Sequence, residues 1–115
     1  MVLLTQGINR YRDLIYNDLN EGILGSDGTE VYVTDTTIGA AIAGTTHTVT
    51  ATKFNKGFKI DFITDVGDGD GYSAREFVVT DANDDVNIRA TFPEIVIGPT
   101  TQISITSQII FLQEF

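Results

Sequence analysis

Apolar residues recur along this chain at two spacings, and the change between them separates a helical start from a strand-rich remainder. Ile8, Tyr11, Leu14, Ile15 and Leu19 follow three- and four-residue steps, with Arg10, Arg12, Asp13 and Asp18 elsewhere around the same segment. With Thr5 available as a cap, the spacing predicts a helix over about residues 5 to 20. Gly22, Gly25 and Gly28 in EGILGSDGTE read as turn residues that end it.

Beyond them the period becomes that of a strand with one buried face. TTHTVTAT (45–52) is β-branched and alternating, and GFKIDFIT (57–64) sets Phe58, Ile60 and Phe62 on one side. REFVVT (75–80) and VNIRATF (86–92) flank the polar run DANDD, which predicts a hairpin with a loop of about five residues. TQISITSQIIFL (101–112) aligns Ile103, Ile105, Ile109 and Phe111 and reads as the longest strand. The sum is an antiparallel β-sandwich of six or seven strands between about residues 31 and 112, with one short N-terminal helix. The small, threonine-rich segment 34–46 is left open between a loop, an irregular strand and an arm reaching a neighbour.

A chain of 115 residues has material for one core, so a single domain over 1–115 is expected. Seven basic against sixteen acidic residues give a net charge of -9, a field that repels phosphate backbones and anionic membrane surfaces. Neither nucleic acid nor membrane is therefore an expected partner. The absence of cysteine removes disulfides and thiolate metal sites. The opening MVLL is too short an apolar run for a signal-peptide core or a membrane span, so synthesis in the cytoplasm is expected.

DVGDGDGY (65–72) is the most distinctive stretch. If Gly71 is the sixth position of a calcium loop, Asp70 and Asp68 fall at the fifth and third, but Val66 occupies the first and Phe77 the twelfth. The EF-hand register fails at both ends. An irregular calcium cage from Asp65, Asp68 and Asp70 is the metal reading, with calcium as the cofactor it implies. The simpler reading is a solvated turn, with glycine for the backbone and aspartate for local hydrogen bonds. His47 is the sole histidine, and with no cysteine beside it the composition argues against a zinc site and against a nucleophilic triad. Acidic groups such as Asp81, Asp84 and Asp85 read as loop residues rather than a glycosidase pair, and GSDG lacks the lysine of a phosphate-binding loop. No enzyme is expected. Arg75 and Arg89 sit among apolar strand neighbours and are candidates for pairing either inside the fold or across a subunit interface.

LTQGINRYRDLI, LGSDGTEVYVTDTTI, AREFVVTDANDDVNIRATFP and IGPTTQISITSQIIF together resemble small structural proteins of tailed viruses, the domains associated with tail fibres, collars and baseplates. The matching elements are residues 4–14, the glycine-aspartate turn 25–28, Asp35 and Thr36, the strand 76–79, the stretch 89–93 and the final strand 103–111. The chain departs from the pattern where Arg75, Glu76 and Phe77 enter the hairpin without a glycine. The resemblance implies a non-enzymatic virion component, an adaptor in the tail, neck or baseplate that assembles with its own copies and with other virion proteins. A capsid-surface decoration protein and a calcium-assisted module for a carbohydrate receptor, with Tyr72 beside the loop, are the alternatives. A thin sandwich has free sheet edges to cover, so self-association is expected.

Overall fold

A computed structural model describes residues 4–111. One helix, α1 (Thr5–Tyr16), precedes seven strands: β1 (Leu19–Gly25), β2 (His47–Thr48), β3 (Thr50–Phe54), β4 (Gly57–Ile63), β5 (Ser73–Asp81), β6 (Val86–Val96) and β7 (Ser104–Ile110). They form two antiparallel sheets, a four-stranded one in the order β2-β1-β5-β6 and a three-stranded one in the order β3-β4-β7.

The core lies between the sheets. Phe58, Ile60 and Phe62 of β4 all face it, as their alternation predicts, and meet Leu24 of β1 and Phe77 and Val79 of β5. The Phe62 and Phe77 rings, 4.9 Å apart at their centroids, join the two layers at the centre. Ile97 and Ile103 close one end from the segment between β6 and β7. The β5–β6 hairpin forms over the expected residues, and its turn is organised by Asp81. That carboxylate accepts from the Asn83 N–H (2.9 Å), the Asp85 N–H (3.1 Å) and the Asn87 side-chain amide (2.9 Å).

Several boundaries differ from expectation. The helix begins at Thr5 rather than being capped by it, and it stops at Tyr16 instead of 20, because the chain turns through Asn17 and Asp18 to pair Leu19 with Asp81. Its apolar stripe is largely unburied. Ile8 is buried and Tyr16 packs on the core, but Tyr11 and Leu14 are 57% and 66% exposed. Of the glycine segment expected to be a turn, Gly22 and Gly25 instead lie in β1, an interior strand in the larger sheet, and only Gly28 falls in the loop after it. The stretch 45–52 divides between two sheets: His47 and Thr48 pair with β1, the chain crosses at Val49, and β3 pairs with β4. The longest strand is β6, with eleven residues, rather than the last; Gly98 and Thr101 make a turn that delays β7 to Ser104. Segment 34–46 is a loop folded back on its own sheet, held by the Ala41 bridge to Gly25 and the Ile42 N–H bond to Leu24 (2.9 Å).

Carboxylates fasten the periphery, and the structure holds several below their ordinary range. Asp81 is lowered chiefly by the Asn87 amide, Asp27 by the Thr29 N–H, Asp13 by Arg12, and Glu94 by Ser73 and then Arg75. A carboxyl more acidic in the folded than in the unfolded chain stabilises the fold above its unfolded value and ceases to do so as pH falls through its folded one. The urea midpoint is therefore expected to be level near neutrality and to drop progressively below about pH 4. A midpoint that rises on acidification would contradict this assignment.

Candidate functional site

Two constellations stand out, one that clamps a loop and one that crosses from a turn to a strand. The first is built on neighbouring strands of the larger sheet. Arg89 of β6 lies opposite Val78 of β5, which makes Glu76 its diagonal neighbour on the same face. Arg89 Nε donates to Glu76 Oε2 at 2.8 Å, and the side chains are 5% and 0% exposed. The rest of the guanidinium points into the loop after β1. Nη2 donates to the Asp27 carbonyl (3.2 Å), and Nη1 to the Thr29 carbonyl (3.3 Å) and Asp35 Oδ2 (3.2 Å). Glu76 in turn accepts the backbone N–H groups of Asp27 (3.3 Å), Gly39 (3.2 Å) and Ala40 (2.9 Å).

One ion pair thus fixes both ends of the 27–40 loop against the outer face of β5. The hydrogen bond to Glu76 raises the Arg89 pKa despite the opposing effect of burial, so the guanidinium is firmly charged. Gly25 and Gly39 are required by this packing, since a Cβ on the first would collide with the Glu76 carboxylate and on the second with Asp27. Between its fixed ends the loop turns outward at Tyr32–Asp35, where the Asp35 N–H donates to the Tyr32 carbonyl (3.0 Å). Val33 at the apex is fully exposed and Tyr32 is 59% exposed. An open groove of about 310 Å³ separates Val31, Tyr32 and Val33 from Val86 and Ile88 on β6, the edge strand of the sheet.

The second constellation is built on DVGDGDGY (65–72). The N–H groups of Asp68, Asp70 and Tyr72 donate to the carbonyls of Asp65, Gly67 and Gly69 at 3.1, 3.1 and 3.0 Å, making three successive turns. Gly67, Gly69 and Gly71 occupy the third position of each, at φ 86, 78 and 90°, as type II turns require. The ladder is anchored to its neighbour by Gly67 N–H to the Thr101 carbonyl (2.9 Å) and Gly71 N–H to the Ile97 carbonyl (3.0 Å). The turn reading of this stretch is what the backbone adopts. Gly71→Ala, with open space around its Cβ, is expected to cost only the left-handed backbone, about 1–2 kcal/mol. Gly69→Ala should cost more, because its Cβ also meets Ile97, Ile42 and Thr45. Urea titration of the two variants measures the difference, and equal losses would show that those contacts yield freely.

The ladder turns Asp68 towards β2. Asp68 Oδ2 receives the Asp65 N–H at 2.9 Å and lies 2.6 Å from His47 Nε2, and the His47 contact is the main cause of its lowered pKa. Ligand atoms of His47, Asp65 and Asp68 all lie within 4.8 Å of one another. Asp70, the third member of the expected calcium set, is exposed and outside this group, and its place is taken by His47. Tyr72 is 55% exposed beside the ladder.

Of the two candidate arginines, Arg89 is 5% exposed and makes its ion pairs, to Glu76 and Asp35, inside its own chain. Arg75 remains at the surface, pairing with Glu94 at 3.2 Å. Sequence reasoning missed Glu76 and the partnership of His47 with the turn ladder. Comparisons of the chain with protein-family models, with curated proteins and with solved structures found no match.

Proposed function

We propose that the domain is a non-enzymatic assembly module of a tailed-virus particle, forming a ring or small symmetric oligomer that serves as an adaptor in the tail, neck or baseplate. The observation that carries this reading is the presence of two apolar surfaces on different elements. One is the outer face of α1, with Leu4, Tyr11, Leu14 and Ile15 exposed; the other is the clamped loop, with Val31, Tyr32 and Val33 exposed beside the edge of β6. The helix packs against the smaller sheet and the loop lies on the larger, so the patches are separate. A closed ring needs two different surfaces per subunit, each contacting the other kind on a neighbour. The buried Glu76–Arg89 pair fits this reading, because it rigidifies a loop that places apolar side chains in water. The particle in this reading rests on the resemblance of the sequence motifs to those of tail-associated proteins.

Light scattering on the purified chain tests the assembly. A mass several times 12.5 kDa is expected for the unaltered protein, and Leu14→Asp or Val33→Asp, both at exposed positions, should each return it to the monomer. A monomer at high concentration would overturn the ring. Immunogold labelling of virus particles tests the location: label at the tail or neck supports the adaptor, label over the whole shell replaces it with a decoration protein, and unlabelled particles with the epitope accessible overturn both.

A further inference from the structure

We infer that His47, Asp65 and Asp68 form a binding site for a divalent cation of the zinc class, which ties the turn ladder to the strand where the chain changes sheets. The inference is independent of the assembly reading. The three side chains come from two distant segments, β2 and the 65–72 ladder, and their ligand atoms converge within 4.8 Å. Imidazole nitrogen with two carboxylates is a donor set for zinc and its first-row neighbours, whereas calcium prefers oxygen alone. Zinc bonds of about 2.0–2.2 Å in a tetrahedral arrangement place two ligand atoms roughly 3.4 Å apart. His47 Nε2 and Asp68 Oδ2, now 2.6 Å apart, reach that separation by opening less than about 1 Å, a rotamer adjustment.

The backbone around the site is fixed before any ion arrives. The ladder is bonded to residues 97 and 101, and Phe62 packs edge-on to the His47 ring at 6.2 Å. Asp68 and His47 are half-buried, while Asp65 lies at the solvent side, which leaves an entry path and room for water to complete the coordination. Charge favours the ion as well. Two carboxylates converge on one imidazole that is neutral when it acts as a ligand, leaving two negative charges for a divalent cation to balance, in a chain of net charge -9. Bound there, the ion cross-links β2 to the 65–72 segment across the Val49 crossing and stabilises the folded chain by mass action.

The test is calorimetric titration of the tag-free protein with zinc chloride, beside thermal melts in zinc and in calcium. One zinc per chain and a raised melting temperature in zinc but not in equimolar calcium are expected. The discriminating variant is Asp65→Asn, because among the described residues the Asp65 carboxylate accepts none of the hydrogen bonds that shape the ladder, so the metal-free fold should be unchanged. Its zinc affinity should fall by more than about tenfold, as should that of His47→Gln. Absence of binding by the unaltered chain, zinc binding that survives Asp65→Asn undiminished, or equal stabilisation by calcium would each overturn the site.

Discussion

Glu76→Gln is expected to be the most damaging conservative change in the chain, lowering folding stability by about 3–5 kcal/mol. The substitution keeps the volume and one carbonyl oxygen, which can still accept from Ala40 or Asp27, but it turns an amide towards Arg89 Nε, so that donor faces donor in a site where neither side chain meets solvent appreciably. The cost lies in leaving a buried guanidinium with only the partly exposed Asp35 as counter-charge, and for a domain whose total stability is about 5–15 kcal/mol this is a large share. Urea denaturation measures it. Hydrogen exchange locates it, since the Asp27, Gly39 and Ala40 amides should lose protection while those of β4 keep theirs.

The same reasoning predicts strong coupling between the partners. Arg89→Met in the Glu76→Gln background removes the charge that the partly exposed Asp35 alone would balance and leaves a neutral acceptor for the loop amides, so the double variant should be more stable than Glu76→Gln alone. A coupling energy of about 1–3 kcal/mol is expected from the full cycle. If the two changes simply add, the pair is not acting as a unit, and the loop must be held by its Gly25–Ala41 bridge and the Asp27 turn instead.

Which features were legible in the sequence follows from how local their physics is. The alternation of Phe58, Ile60 and Phe62 and the polar run 81–85 between two alternating segments carry their own signals, and both appear as expected. The turn ladder was legible for the same reason, because the glycine at every second position meets a backbone demand made within four residues. β1 was not, because its glycines answer a demand made by side chains far along the chain. The clamp was hidden similarly: Glu76 looked like one more polar strand position, and only the return of residues 27–40 over β5 buries it. His47 and Asp68 are twenty-one residues apart with no motif linking them, and the strand crossing at Val49 is what brings them into contact. The helix stripe was legible as a pattern but not as a fate, since the same spacing serves a core or a neighbour.

Gly22→Ala separates the local from the distant explanation of a glycine. In an ordinary strand the change adds β propensity and restricts the unfolded chain, so it should stabilise by about 0.4–1 kcal/mol where there is room. Gly22 has no positive φ to defend, but a Cβ there would stand 2.5 Å from Phe62 Cδ2 and 2.7 Å from Phe77 Cε2, atoms of the two rings that join the sheets. Neither ring can retreat without disturbing the packed centre, so a loss of about 3 kcal/mol is expected. Making the change in a Phe62→Ala background should reverse much of the penalty, because the methyl then enters the space that the ring has left. A loss that persists undiminished without the ring would mean that Gly22 is required by the strand backbone itself rather than by the aromatic pair packed over it.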